Sequence, residues 1–230
     1  MNALGTSATL LAVSRCFVVK PDGPDDVTGI DKRPVDGPVR LERLGVEGDS
    51  VLDTVHHGGP DKAVYVYAVE DLRWWAGMLG RDLPPGAFGE NLTTEGLDVT
   101  GAVVGERWRI GGALLEVRQP RIPCATFQRH LDERAWVRRF TEHGAPGAYC
   151  AVLEEGAVRA GDRVDVVHVP AHGVTLGEVF LPRESDAAAR ARLASLAAVD
   201  GLALPLQRAL ARTLGRTAAQ AGPAGLPVDA

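Results

Sequence analysis

Length, composition and charge are those of an ordinary globular chain, and they exclude several classes of protein. The chain has 230 residues, 45% of them hydrophobic, and a formal net charge of −5, which allows one large or two modest domains. No run approaches the roughly 18 apolar residues of a membrane span, and the N-terminus lacks the basic start of a secretory signal. We therefore expect a cytoplasmic protein that does not enter a membrane. The acidic balance, without a Lys/Arg cluster, argues against nucleic acid as a partner.

The three cysteines are interpreted one at a time. Cys16, Cys124 and Cys150 are odd in number and show no C-x-x-C spacing, which argues against a disulfide framework and against a zinc knuckle. Cys16 and Cys150 lie in apolar segments, where packing in the core is the expected role. Lysine is also rare and occurs only at positions 20, 32 and 62, so a lysine beside a motif is of interest.

Residues 9–170 show the pattern of a β-rich domain. Short apolar or alternating runs are separated by Gly, Pro and Asp, which is typical of a barrel or a folded sheet. In segments 107–110 and 163–166, polar residues alternate with apolar ones, as half-buried strands require. The segment 20–40 is dense in Pro, Gly and Asp, and such long irregular loops are usually functional or disordered.

The stretch VHHGGPDKAV, residues 55–64, contains the first candidate for chemistry. His56 and His57 would point to opposite faces of an extended backbone, so a shared metal ion, as in a zinc hydrolase, is disfavoured. The Gly-Gly-Pro sequence predicts a tight turn with exposed N–H groups, and Lys62 adds a cation, which together would suit an anion or a phosphate. A plain turn with a surface lysine explains the same residues.

Two helices are expected to interrupt the strands. Apolar residues at helical spacing, followed by Gly80, predict a helix over 70–79. The second helix begins just after residue 124, and its apolar face consists of Phe127, Leu131 and Ala135.

The stretch 84–98 is expected to form an exposed, glycine-rich loop between the two helices. The polar pair Glu90-Asn91 follows its glycines. The loop backbone and the Asn91 amide could hydrogen-bond a planar heterocycle or a phosphate. A plain connecting loop is the alternative.

The stretch QPRIPC, residues 119–124, is the third candidate for chemistry. Its two prolines end the preceding strand and present Arg121 and Cys124 on a stiff loop. Arg121 and the start of the following helix would favour the thiolate of Cys124, the form that attacks electrophiles and binds soft metals. A buried structural cysteine is the alternative.

The composition changes after residue 170. We predict a small three-helix C-terminal domain over 174–215 and a flexible tail over 216–230, which is too poor in large apolar residues to fold. The helix signals are a capping box at Thr175 and Glu178, an N-cap at Ser185, and Pro205 and Gly215 at the two ends of the last helix.

Five stretches, in a fixed order, together resemble a known family. They are TGIDKRPVDGPVRLERLGVEGD, HHGGPDKAV, PGAFGENLTTEGLD, GGALLEVRQPRIPC and GAYCAVLEEGAVRAGDRV. They resemble the motifs of the MOSC domain family, named for the C-terminal domain of molybdenum-cofactor sulfurases, and specifically of its YiiM-like branch. The resemblance covers residues 9–170, and the three appended helices are similar to the small helical domain of that branch.

The resemblance implies a mainly β (α+β) fold, a MOSC β-barrel-like domain that binds the molybdenum cofactor, a molybdopterin with a phosphate and a dithiolene-bound molybdenum. The essential cysteine of the family falls on Cys124, whose thiolate would be a ligand of the metal. His57 falls on the family histidine, whereas Cys16 and Cys150 match no family motif. The other residues implied in cofactor binding are Lys32, Lys62, Asn91 and Arg121.

The same resemblance implies an oxidoreductase that reduces N-hydroxylated compounds, such as hydroxylaminopurines or amidoximes, to amines or amidines. His57 or Asp61 would relay protons. Because the chain has no nicotinamide, flavin or iron–sulfur motif, a separate donor protein would supply the electrons. The alternative is a carrier of the cofactor, or of a persulfide on Cys124. The C-terminal helices could bind a partner, dock the donor or form a homodimer.

Overall fold

Seven strands close a β-barrel in the part of the chain that the computed structural model describes, residues 7–23, 26–50, 58–182 and 186–215. The strands in this part are β1 (Ser7–Cys16), β2 (Lys20–Pro21), β3 (Val27–Thr28), β4 (Lys32–Pro34), β5 (Val39–Glu42), β6 (Gly45–Val46), β7 (Val64–Ala68), β8 (Leu92–Glu95), β9 (Arg107–Ile110), β10 (Ala113–Pro120), β11 (Ala148–Glu154), β12 (Gly156–Val158) and β13 (Arg163–His168). The barrel runs β1-β13-β9-β10-β11-β7-β8 and returns to β1, and β4 pairs with the far end of β1. Of the barrel pairs, β7 and β8 are parallel and the others antiparallel.

The predicted alternation in β9 and β13 is confirmed. Trp108 and Ile110 of β9, and Val164 and Val166 of β13, are buried in one apolar core. Burial of an apolar side chain of this size contributes about 1.5–3 kcal/mol. The arginines between them lie at the surface or half-buried, as a period of two requires.

The described residues contain six helices, and the first of them matches its prediction. They are α1 (Val69–Leu79), α2 (Ala125–Leu131), α3 (Trp136–His143), α4 (Leu176–Phe180), α5 (Ala187–Ala197) and α6 (Leu204–Gly215). Leu72 and Trp75 are buried on α1. Gly80 ends the helix in the left-handed conformation, with φ of 64°, which glycine adopts without the strain of a side chain.

The helix predicted after Cys124 begins where expected but is broken into α2 and α3. Phe127 is buried as predicted, whereas Ala135 is exposed, so the single apolar face ending at Ala135 is wrong. Asp132 and Ala135 adopt positive φ, 54° and 53°, which ends α2 and redirects the chain. The new direction brings Trp136 into the core in place of Ala135.

A second buried cluster, which we call the aromatic cluster, packs α1, α2 and α3 against the barrel. Neighbouring rings lie 4.4 to 6.5 Å apart between centroids, mostly tilted or edge-on. Such pairs contribute about 0.5–1.5 kcal/mol each beyond the area they bury. The cluster therefore fixes the position of α2, which begins directly after Cys124. Its members are Tyr65, Tyr67, Leu72, Trp75, Phe88, Phe127, Leu131, Trp136, Phe140 and Phe180.

The C-terminal helices begin largely as the sequence signals predict. The capping box of α4 is present: Thr175 Oγ1 accepts from the Glu178 N–H, and the Glu178 carboxylate accepts from the Thr175 N–H. The N-cap of α5 is Asp186, which accepts from two backbone N–H groups, whereas the predicted cap Ser185 lies outside the described residues. Leu204–Gly215 forms the last helix, with Pro205 in its first turn.

The fold class, mainly β with added helices, is confirmed. No helix in the described part of the chain is long and apolar enough to span a membrane. Side chains of α4, α5 and α6 belong to the same apolar cluster as the barrel interior. A separate domain over 174–215 stays a prediction, and the tail over 216–230 lies outside the described residues.

Asp71 on α1 gives a testable effect of pH on stability. Burial, and then the charges of Glu70 and Asp98, raise the pKa of Asp71 to about 6. A raised pKa in the folded state favours folding while the group is protonated, and this contribution is lost as the pH rises from about 4 to 6. We expect Asp71→Asn to stabilise the protein by about 1 kcal/mol above pH 6 and to have little effect below pH 4. Urea unfolding at pH 4 and pH 8 measures the difference, and an equal effect at both pH values would contradict it.

Candidate functional site

Strand register assembles the candidate site from distant parts of the sequence. Tyr149 of β11 lies opposite Gln119 of β10 on one side and opposite Tyr65 of β7 on the other. The row continues to Asn91, whose Oδ1 accepts from the Tyr65 N–H at 3.2 Å, and to Ser14, whose backbone oxygen accepts from Asn91 Nδ2 at 3.3 Å. Five segments of the chain therefore meet here.

The predicted residues Lys32 and Asn91 meet at a carboxylate that the sequence did not single out. Asp49 accepts from the Lys32 ammonium and, at 2.8 Å, from Asn91 Nδ2, and its side chain is 4% exposed. Burial by itself would raise the pKa of Asp49, but Lys32 and the N–H donors of Cys16 and Asn91 hold it below its ordinary value. The Lys32–Asp49 pair is thus charged and buried.

Arg121 lies in the aromatic cluster and links three of the predicted motifs. Its guanidinium lies 3.9 Å from the Phe127 ring centroid and 5.0 Å from that of Tyr65, and Nη1 donates to the Phe88 oxygen. Arg121 is 3% exposed, and its Nε has no hydrogen-bond partner among the residues that the structure describes. Burial would lower the pKa of Arg121, but nearby Tyr65, Tyr149 and Cys124 raise it, so the group stays charged. Within the described residues, no carboxylate forms an ion pair with it.

Cys124 is a half-buried thiol at the edge of the aromatic cluster. Its backbone is extended, with φ of −132° and ψ of 173°, directly before α2. Cys150, in contrast, is fully buried, and burial raises its thiol pKa, so its predicted place in the core is confirmed. Cys16 is half-buried at the end of β1 and is not a member of either apolar cluster, so its predicted place in the core is wrong. Its segment leaves the barrel after Ser14, and its N–H donates to Asp49.

The Gly-Gly-Pro-Asp-Lys sequence forms the predicted tight turn. Gly58 and Gly59 have φ of 80° and 78°, which favours glycine, and residues 60–62 make one 3-10 turn. The Lys62 ammonium lies 5.6 Å from the Tyr149 ring centroid, at the edge of the row described above. Asp61 lies 3.4 Å from Arg118 Nε. His56 and His57 lie outside the described residues, so their predicted places stay predictions.

The stretch 84–98 was predicted to be an exposed glycine-rich loop, and this is wrong for residues 88–94, which are buried and run into β8. Glu90 is fully buried, and its carboxylate accepts from the Gly86 N–H at 2.6 Å, the Phe88 N–H at 3.0 Å and Thr93 Oγ1 at 3.0 Å. Burial raises the pKa of Glu90. A side chain at Gly86 would collide with the Lys32 backbone, so glycine lets the loop pack directly on β4. Asn91 is buried with it.

The Pro- and Gly-rich segment packs against α2. Asp22 accepts from Arg129 Nε at 2.6 Å and from the Thr126 hydroxyl. Burial, and then Lys20, lower the pKa of His130 to about 4. The neutral ring therefore accepts from Lys20 at Nδ1 and donates from Nε2 to the Ala87 oxygen, at 2.8 and 3.1 Å. A pocket of about 540 Å³ opens beside this contact, between β4, residues 81–87 and the end of α2.

The described structure brings most of the predicted site residues together. Lys32, Asn91 and Arg121 are joined through Asp49, Tyr65 and Phe88, and Lys62 approaches Tyr149. Sequence reasoning missed Asp49, although it closes a quoted motif, and it assigned no role to the two tyrosines. In the residues described, no group of three His, Cys, Asp or Glu side chains could hold a metal ion.

Two features of this structure show that the residues present fit the molybdenum cofactor, which the resemblance implies. Cys124 offers a soft sulfur ligand that is not sealed in the core. Arg121 keeps a buried cation with an unpartnered Nε, which suits an anionic group.

Comparison with known proteins gives consistent matches. The sequence model of the MOSC domain matches residues 53–165. YflK of Bacillus subtilis (strain 168) is 39% identical over 155 residues, which are 67% of this chain and 70% of YflK. YiiM of Escherichia coli (strain K12) is 35% identical over 147 residues, 61% of this chain and 64% of YiiM. A reductase of Gibberella moniliformis is 30% identical over 156 residues, 64% of this chain but 27% of that protein.

A solved structure agrees over most of the chain. The crystal structure of YiiM from Geobacillus stearothermophilus superposes with a TM-score of 0.74 at 25% identity. The match covers 90% of this chain and 100% of that one, so it extends beyond the barrel into the added helices. MOSC domains are generally associated with binding of the molybdenum cofactor.

Arg121→Lys tests the importance of the buried guanidinium. An ammonium cannot lie flat between two rings, and a buried charge with poorer contacts is costly. We expect the free energy of unfolding to fall by about 2–3 kcal/mol. Urea denaturation measures the loss, with Arg134→Lys, at an exposed position between α2 and α3, as the matched control. Equal stabilities of the two variants would contradict this role.

Proposed function

Because the chain belongs to the MOSC domain family, we propose that it is a molybdenum-cofactor-dependent oxidoreductase. The proposed reaction reduces N-hydroxylated compounds, such as hydroxylaminopurines or amidoximes, to amines or amidines. Each turnover breaks one N–O bond, consumes two electrons and two protons, and releases water. The reductase among the matched proteins supports a redox role, although this chain spans 27% of its length.

The observation that carries the proposal is the arrangement around Cys124. The half-buried Cys124 thiol lies three residues after Arg121, a buried arginine that has no carboxylate partner in the described part of the chain. The Lys62 ammonium approaches Tyr149, in the row of residues that also contains Tyr65. When bound, the cofactor supplies the two-electron chemistry. The protein then contributes the ligand and the anchors for the anionic group.

The predicted residues other than Asn91 have definite tasks in this proposal. The Cys124 sulfur would be a ligand of the metal. Arg121 and Lys62 would hold the phosphate by charge-assisted hydrogen bonds, and Lys32 would add further donors. Asp61 would relay protons together with His57, because carboxylates and imidazoles exchange protons readily. The two electrons would come from a separate donor protein.

The aromatic cluster supports catalysis by holding the site rigid. It fixes the start of α2 through Phe127 and therefore the place of Cys124. Placement of catalytic groups within a few tenths of an ångström is what makes such sites effective.

Cys124→Ser tests the proposal. We expect protein from a cofactor-producing host to contain about one molybdenum per chain, and the variant to contain at least about tenfold less, because an alcohol is a poor ligand for a soft metal. Cys16→Ser, at the other half-buried thiol, is the matched control and should retain the metal. Elemental analysis gives the metal content of all three proteins.

Turnover separates an enzyme from a carrier. Loaded wild-type protein, given dithionite and a hydroxylaminopurine, should release the aminopurine, which chromatography detects. Tight retention of the cofactor without turnover would indicate a carrier instead. Zinc in place of molybdenum would overturn the assignment altogether.

A further inference from the structure

Asp49 is a buried carboxylate of the candidate site that accepts hydrogen bonds from three separate segments. Its carboxylate accepts from the Cys16 N–H at 2.7 Å, from Asn91 Nδ2 at 2.8 Å and from the Lys32 ammonium. The three donors belong to the end of β1, the residue before β8, and β4. One buried carboxylate thus joins three segments whose donor residues lie 17 to 42 residues from it in the sequence.

The Asn91 amide donates to Asp49 and has no donor left for a ligand in the site. Both N–H groups of its amide are used, one by Asp49 and one by the Ser14 oxygen, and its Oδ1 accepts from the Tyr65 N–H. An amide has two N–H donors, so none is left for a phosphate. Asn91 therefore orients the Asp49 carboxylate against the barrel.

The contact with Asp49 holds the Lys32 ammonium in place. Its side chain is 9% exposed, and the Asp49 carboxylate accepts from its ammonium. An ammonium has three N–H groups, and among the described residues only Asp49 accepts from Lys32, so two N–H groups remain to act as donors toward a ligand. Because the stem of lysine is long and flexible, an ammonium without such a partner would move to solvent.

We propose that Asp49 is a positioning residue which, itself held by Asn91, fixes the Lys32 ammonium in the candidate site. The inference rests on the proposed function, because Lys32 matters only if the site holds an anionic cofactor. A series of hydrogen bonds runs from the Tyr65 backbone through Asn91 and Asp49 to Lys32. In this proposal the whole series has a single task. That task is to present the remaining Lys32 donors in one direction.

Lysine reactivity tests the contact without any cofactor. The chain has three lysines, at positions 20, 32 and 62, so acetylation by acetic anhydride can be followed at each by mass spectrometry. We expect Lys32 to react at least tenfold faster in Asp49→Asn than in the wild type, while Lys20 and Lys62 keep their rates. Equal Lys32 rates in the two proteins would overturn the proposal, whatever the cofactor content.

A double-mutant cycle tests the effect on the cofactor. The readout is the rate of molybdenum loss during dialysis of loaded protein. We expect Asp49→Asn to accelerate the loss at least tenfold, but to add less than twofold in a Lys32→Met background, because its effect passes through Lys32. Glu178→Gln, which breaks an ion pair with Arg192 far along the sequence, is the control and should lose metal at the wild-type rate.

The outcomes separate the two proposals. If Asp49→Asn accelerates the loss equally with and without Lys32, Asp49 has only a structural role and the inference is wrong. If Lys32 becomes reactive but metal loss is unchanged, the inference is also wrong, although the proposed function stands. If the wild type never holds molybdenum, the proposed function fails, and the acetylation rates still decide whether Asp49 fixes Lys32.

Discussion

The guanidinium of Arg121 is the constraint around which the site is arranged. A charge removed from water is stable only where its hydrogen bonds and contacts are well placed. Arg121 meets this condition with the Phe88 oxygen and with the rings of Tyr65 and Phe127. Those three residues belong to the glycine-rich loop, to β7 and to α2. Satisfying one buried cation therefore brings together the loops that carry the candidate chemistry.

The loops around Arg121 are held mainly by buried polar groups. Glu90 satisfies the N–H groups of its own loop, and Asn91 ties that loop to β7 and β1. Asp49 extends the same connection to Lys32. Buried hydrogen bonds have a narrow range of distances and angles, and breaking one leaves an unsatisfied partner that costs about 1–3 kcal/mol. A site held in this way has one defined geometry, which an apolar contact of equal area would not impose.

Local patterns in the sequence were sufficient for much of the fold. Gly80 at the end of α1, the capping box of α4, and the alternation in β9 and β13 each depend on residues within one helical turn or one strand. The break between α2 and α3 could not be predicted in this way. Ala135 has a high helix propensity and no reason of its own to adopt positive φ. The gain lies in burying Trp136, which depends on Trp75 of α1 and Phe88 of the glycine-rich loop.

The same distinction explains what was predictable in the candidate site. Each of four predicted residues, Lys32, Asn91, Arg121 and Cys124, lies within two residues of a proline or a glycine, and such residues are typical of loops. Their partners cannot be predicted from this pattern, because the Lys32–Asp49 contact spans 17 residues and the Arg121–Phe88 contact spans 33. Both contacts depend on the register of the barrel, which no local pattern encodes. The compensation of each charge is accordingly a property of the fold. Lys32 has a buried counter-charge, whereas Arg121, within the described residues, has the Phe88 carbonyl, the Tyr65 side chain and the Phe127 ring.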